Sequence, residues 1–260
     1  MSEFDPGPPE HLAAMFDRVP DPPVKEDFWF DWGPIFYRGR LDGSARVLCV
    51  ASDPGPTERI AGRSLIGDAG QRVQGFLTKI GLTRSYVCLN AWAYAVHPSR
   101  ASTERRKLAD PDQLSWRNEL YDTVATPELQ AIVAFGGMAQ AAVDLWSERP
   151  DVKVCRVPHP SSRDEAALTD EWRAAVSDLR EIVTPDPDGD VAGPNYGNEH
   201  RGRLLADPAN RPAVRRSAVS RRRCRGSCRA RQCAQLGRSP SARRRSHADL
   251  DRSHDRAVAR

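Results

Sequence analysis

From Ala45 onward, short apolar runs alternate with stretches of helical spacing. The runs are Arg46–Ser52 (RVLCVAS), Ser85–Ala93 (SYVCLNAWA), Ala131–Phe135 (AIVAF) and Val152–Val157 (VKVCRV). Continuous apolar runs of this length predict buried strands. Between the first two, Asp68–Ile80 puts Val73, Phe76, Leu77 and Ile80 on one face, and Gly81 supplies the stop. Helices are also predicted at about Asp112–Thr123, from Gly136-Gly137 to about Trp146, and at about Asp164–Ile182. Strands alternating with helices build right-handed βαβ units. The expected fold is therefore a three-layer α/β/α domain over residues 25–183, with a central four-stranded parallel sheet covered on both faces.

Two segments precede that pattern. Residues 1–24 read as a proline-broken arm with one short amphipathic helix, about Pro9–Arg18. Phe28, Trp29, Phe30, Trp32, Phe36 and Tyr37 then crowd six rings into ten positions. Such a block is either a platform for stacking bases or a loop covering one face of the core. The bulk of the rings favours the cover.

Charge divides the chain sharply. Residues 201–260 hold 18 Arg, no Lys and four acids, a net of +14, whereas the first 200 residues hold 21 basic and 31 acidic residues, a net of −10. No Phe, Trp, Tyr, Ile or Met follows Tyr196, so the last sixty residues cannot supply a core. They are expected to be a disordered basic tail, joined by a turn-rich linker over residues 184–200. The tail suits a salt-sensitive DNA-binding arm, and its abrupt switch to Arg equally suits an out-of-frame reading of GC-rich DNA. Cys224, Cys228 and Cys233 in it match no common zinc spacing. Cys49, Cys88 and Cys155 fall inside apolar runs as small hydrophobes. The start is acidic and proline-rich, unlike a signal peptide, and no apolar run would span a bilayer. A cytoplasmic monomer without membrane contact, metal or cofactor is expected, and no protein partner is inferable from the sequence.

In parallel sheets the chemistry lies beyond the carboxyl ends of the strands. That rule selects Ser52–Pro56, Asn90–Ser99, Gly136-Gly137 and His159–Ser162. Asp53 stands where the first run stops, followed by a glycine- and proline-rich stretch without phosphate-loop or dinucleotide spacing. Asn90 is an amide inside an apolar run, which must bond backbone or face a planar ligand. His159 lies between two prolines at the end of the fourth run.

These residues carry a resemblance. Pro54 to Gly62-Arg63 with Glu58 between, then Gly67, Ala69, Gly70 and Gln71, VCLN at 87–90 and His-Pro-Ser at 159–161 resemble the uracil-DNA glycosylase superfamily. The similarity is closest to its family-4 and family-5 branches and spans roughly residues 45–183. It implies hydrolysis of the N-glycosidic bond of uracil, or a related deaminated base, flipped out of DNA. By the same resemblance Asn90 would read the base edge, with Gly55 and Leu65 lining the base. His159 would stabilise the departing base's negative charge, and Asp53 would orient water and stabilise the sugar cation. Pro54, Ser161, Ser162 and Arg63 would contact phosphates. DNA would be the partner.

The chain also departs from the pattern. Ser52 stands where family 4 has its glutamate, Gly55 where family 1 has a methyl-excluding tyrosine, and Leu65 where family 4 stacks a phenylalanine. The cysteines that hold a 4Fe–4S cluster in families 4 and 5 have no counterparts, so no cluster is expected. A second His-Pro-Ser at 97–99 makes His97 the alternative to His159. These departures, with the acidic charge of the first 200 residues, leave a catalytically weakened nucleic-acid- or nucleotide-binding module as the alternative function.

Overall fold

The computed structural model describes residues 5 and 7–189. The tail and most of the expected linker lie outside the described residues.

Four five-residue strands form the parallel part of the sheet: β2 (Val47–Ala51), β3 (Tyr86–Asn90), β4 (Ala131–Phe135) and β5 (Lys153–Val157). All coincide with the apolar runs. The sheet is nonetheless five-stranded, in the order β1-β3-β2-β4-β5. The added strand β1, Tyr37–Gly39, pairs antiparallel with β3. Expecting four strands thus missed an edge, because three residues containing Arg and Gly carry no readable periodicity. At the opposite edge, β5 exposes Lys153 and Arg156, charges that discourage further strand pairing.

Period-two alternation along the strands separates two cores. Leu48, Val50, Val87, Leu89, Ile132 and Ala134 face one side and Val47, Cys49, Tyr86, Cys88, Val133 and Phe135 the other. The first side packs on α1 (Glu10–Phe16), α5 (Pro111–Val124) and α6 (Gly136–Asp144). The second packs on α3 (Asp68–Lys79) and α7 (Glu165–Ile182), where Trp172 meets Phe76 and Phe135. Aspartates cap two of these helices: Asp110 accepts the Gln113 N–H and Asp164 the Ala167 N–H. Two short helices, α2 (Pro56–Ala61) and α4 (Ala101–Lys107), were not foreseen. No helix among the described residues is long and apolar enough to cross a membrane.

Three segments sit differently from their reading in sequence. The arm is part of the domain: α1 buries Leu12 and Met15, and the Trp116 indole N–H donates to the Met15 carbonyl at 3.0 Å. The aromatic block splits, with Phe28 and Phe36 in the core but Trp29 44% exposed. Residues 184–189, placed in the linker for their turn formers, pack back on the domain. There the buried Asp186 carboxylate accepts the backbone N–H groups of Thr83, Arg84 and Ser85 at 2.8–3.0 Å.

Candidate active site

The parallel register brings the carboxyl ends of the strands to one edge. Ala51 pairs with Asn90, and Phe135 with Val157. Asp53 and His159 each lie two residues past the end of their strand, and Gly136 directly follows β4.

Asp53 is only partly exposed, and its Oδ2 accepts the Val96 N–H at 2.9 Å. Burial, with a smaller contribution from the Glu58 charge, pushes its carboxyl up to about 6. It remains mainly ionised at neutral pH, and a weakly solvated carboxylate is suited to pull on a water proton or to stabilise a nearby cation.

His159 is held by its own loop. Its Nδ1 accepts the Ser161 N–H at 3.1 Å, which puts the ring proton on Nε2. Burial lowers its pKa, so the ring is a neutral Nε2–H donor. Every carbonyl from 157 to 160 has a partner. Gln140 on α6 donates to Val157, Trp172 on α7 to Pro158, the Ser162 N–H to His159 and Arg72 on α3 to Pro160. Gly136 closes the arrangement: its φ is +84° and a Cβ there would stand 2.8 Å from the His159 Cβ.

Asn90 ends β3 with 2% exposure. Its Nδ2 donates to the Ile35 carbonyl at 3.0 Å and its Oδ1 accepts the Ser64 hydroxyl at 2.7 Å. A carbonyl can only accept, so the Ile35 bond fixes which way the amide faces. One N–H and one lone pair remain for a ligand.

The loop between Asp53 and α3 is organised by Glu58. Its carboxylate accepts the N–H of Gly55 at 3.1 Å and those of Ile66 and Gly67 at 2.8 Å each. Leu65, buried, sits in the left-handed region at φ +53°, an uncommon conformation for a side chain of that bulk. Its carbonyl accepts from Arg38 at 2.7 Å, and a Cβ on Gly70 would stand 1.8 Å from that oxygen. Gly70 therefore has to be a glycine.

The phosphate-contact candidates are dispersed. Pro54 is buried, Ser161 exposed, and Ser162 accepts the Asp164 N–H. Arg63 packs over Tyr37 and pairs with Asp5 at 2.7 Å. Arg84, a further basic side chain, precedes β3 at the opposite end of the sheet and pairs with Asp188. Arg105 of α4 is better placed, because its guanidinium lies where a Cβ on Gly137 would be 3.0 Å away, beside the start of α6. His97 packs its ring against Trp29, centroids 4.1 Å apart. Sequence reasoning missed the loop-organising role of Glu58, although Pro56 followed by Glu58 is a helix-start signal. Among the described residues, no three or more His, Cys, Asp or Glu side chains gather as a metal site.

The open α/β sheet thus lines up a carboxylate, an amide and a neutral imidazole along its carboxyl edge, the edge at which such sheets carry their ligand sites. Residues 38–180, more than half of the chain, match the family model for the uracil DNA glycosylase superfamily, and the chain belongs to that family. No curated protein matches it. Membership points to glycosylase-type activity on DNA in general.

Proposed function

We propose that the protein hydrolyses the N-glycosidic bond of uracil, or a related deaminated base, in DNA. The observation that carries this reading is the fixed Nε2–H of His159. A neutral donor on a pinned loop stabilises an oxygen that becomes anionic as the bond breaks, and needs no reorganisation to do so. Asp53 lies at the same edge and supplies the opposite charge, for the sugar cation and the incoming water. Asn90, its amide orientation set by Ile35 and Ser64, uses its remaining N–H and lone pair on the base edge. Leu65 and Gly55 line the base, while Ser161, Ser162 and Arg105 meet phosphates.

A second reading, a binding module with little catalysis, is favoured by one observation: both ends of the Asn90 amide already hold protein partners. Single-turnover release of free base from uracil-containing DNA separates the two. The wild type is expected to release base, and His159→Ala to slow release about 100-fold or more with little change in DNA affinity. Binding without release from any deaminated substrate would establish the second reading.

A further inference from the structure

We propose that Trp29 and Trp32, with His97 and Arg59, form a stacking platform for unpaired nucleotides beside the strand-end site, so that the substrate is single-stranded DNA. The inference rests on the glycosylase reading and names its substrate class.

Trp116, Trp146, Trp92 and Trp172 are all buried, each 8% exposed or less, whereas Trp29 is 44% exposed. Its ring lies nearly parallel to Trp32, at 13° with centroids 5.6 Å apart. The His97 ring lies against Trp29, and the Arg59 guanidinium stands 5.4 Å from the centre of Trp32. Beside Arg59, Ile60 is 89% exposed. An exposed Trp29 beside the parallel, partly exposed Trp32, with a cation alongside, is a surface suited to sequence-tolerant stacking of bases.

The platform adjoins the site through the backbone. The Trp29 N–H donates to the Ala95 carbonyl at 2.8 Å, and the next residue, Val96, gives its N–H to Asp53. Arg59 lies on α2, which starts three residues after Asp53. A strand whose flipped base reached Asp53 would therefore run its neighbouring nucleotides past these rings. Bases inside a duplex have both faces covered by their neighbours, so only an unpaired strand can use such a surface. Glu26 and Asp31 are exposed in the same segment, which makes the contact depend on stacking more than on charge.

The test uses the full chain and fluorescence anisotropy of labelled oligothymidylate about twelve nucleotides long, beside the matching duplex. Without uracil, the readout does not need catalysis. The paired change Trp29→Ala and Trp32→Ala should weaken the single-strand complex about 10-fold or more, leave the duplex complex within about twofold, and keep the melting temperature. Trp29→Phe should retain most of the affinity. Arg59→Glu, on the exposed side of α2, removes the cation beside Trp32 and gives the same selective loss while both indoles stay in place. Unchanged single-strand binding in the tryptophan pair or in Arg59→Glu, or equal losses on both substrates, would overturn the platform. Absent base release with intact, ring-dependent oligothymidylate binding would instead sink the glycosylase reading alone.

Discussion

Gly136 and His159 touch across the end of the sheet so closely that a Cβ on the glycine would stand 2.8 Å from the Cβ of the histidine. At φ +84° the position is also strained for any side chain. Gly136→Ala is expected to displace the imidazole, and displacements of about 1 Å cost about 100-fold in rate. The loss should appear in the single-turnover constant, with DNA affinity nearly unchanged. A rate within about twofold of wild type would show that the imidazole's position does not matter.

Under the proposed function, Asp53 ties rate and stability to pH in opposite directions. Its folded pKa of about 6 lies above the ordinary 3.8, so the folded state binds this proton more tightly. Stability from this group is therefore lost as pH rises from about 4 to about 6, and the penalty, on the order of 2–3 kcal/mol, persists above that. Base release should follow the ionised form and rise through about pH 6 to a plateau. Asp53→Asn removes the penalty: it should melt higher than wild type at about pH 8, melt almost equally at about pH 4, and release base far more slowly. A melting point below wild type at the higher pH would contradict the burial of this charge.

Asn90→Ala strips partners from the Ser64 hydroxyl and the Ile35 carbonyl at a buried position. A stability loss of about 1–3 kcal/mol is expected in addition to any weakening of base recognition. Ser64→Ala leaves the amide in place while removing one of its partners. Chemical denaturation of both variants measures the difference, and an Asn90→Ala protein as stable as wild type would show the amide is dispensable to the fold.

Asp186 acts in the other direction from Asp53. Hydrogen bonds from Ser85 and from the backbone of Thr83–Ser85 outweigh its burial and hold its carboxyl down at about 2. The stability it contributes is present above about pH 4 and is lost as pH falls through about 2, and amounts to about 2 kcal/mol. Asp186→Ala, or truncation after Val183, should lower Tm by about 5 °C. Truncation after Gly189 should not, since the residues beyond it carry too little apolar surface to add a core. Equal melting of the two truncations would remove Asp186 from the account.

The four parallel strands were legible because each falls in a short, mainly apolar run, whereas the three-residue β1 was not, and Asp53, Asn90 and His159 stood out as polar groups at the ends of those runs. What supports them was not. Trp172 reads in sequence as a core residue on a helix face, and nothing in its spacing reveals that its indole N–H holds the Pro158 carbonyl. Asp186 reads as a turn former because its acceptor role needs a turn a hundred residues upstream. Trp29 and Phe28 are neighbours of similar character, and only their packing tells which is covered.

The carbonyls of the His159 loop are held from α3, α6 and α7, three helices that approach from both faces of the sheet. The histidine consequently has no local environment to be altered in isolation. A change at Arg72, Gln140 or Trp172 is delivered to the same imidazole, and variants at these distant positions should alter turnover together and non-additively. For a protein-engineering or evolutionary trajectory this makes the loop resistant to gradual retuning. Change is less constrained at the exposed Trp29 ring, where one side chain can be replaced while the imidazole loop stays put.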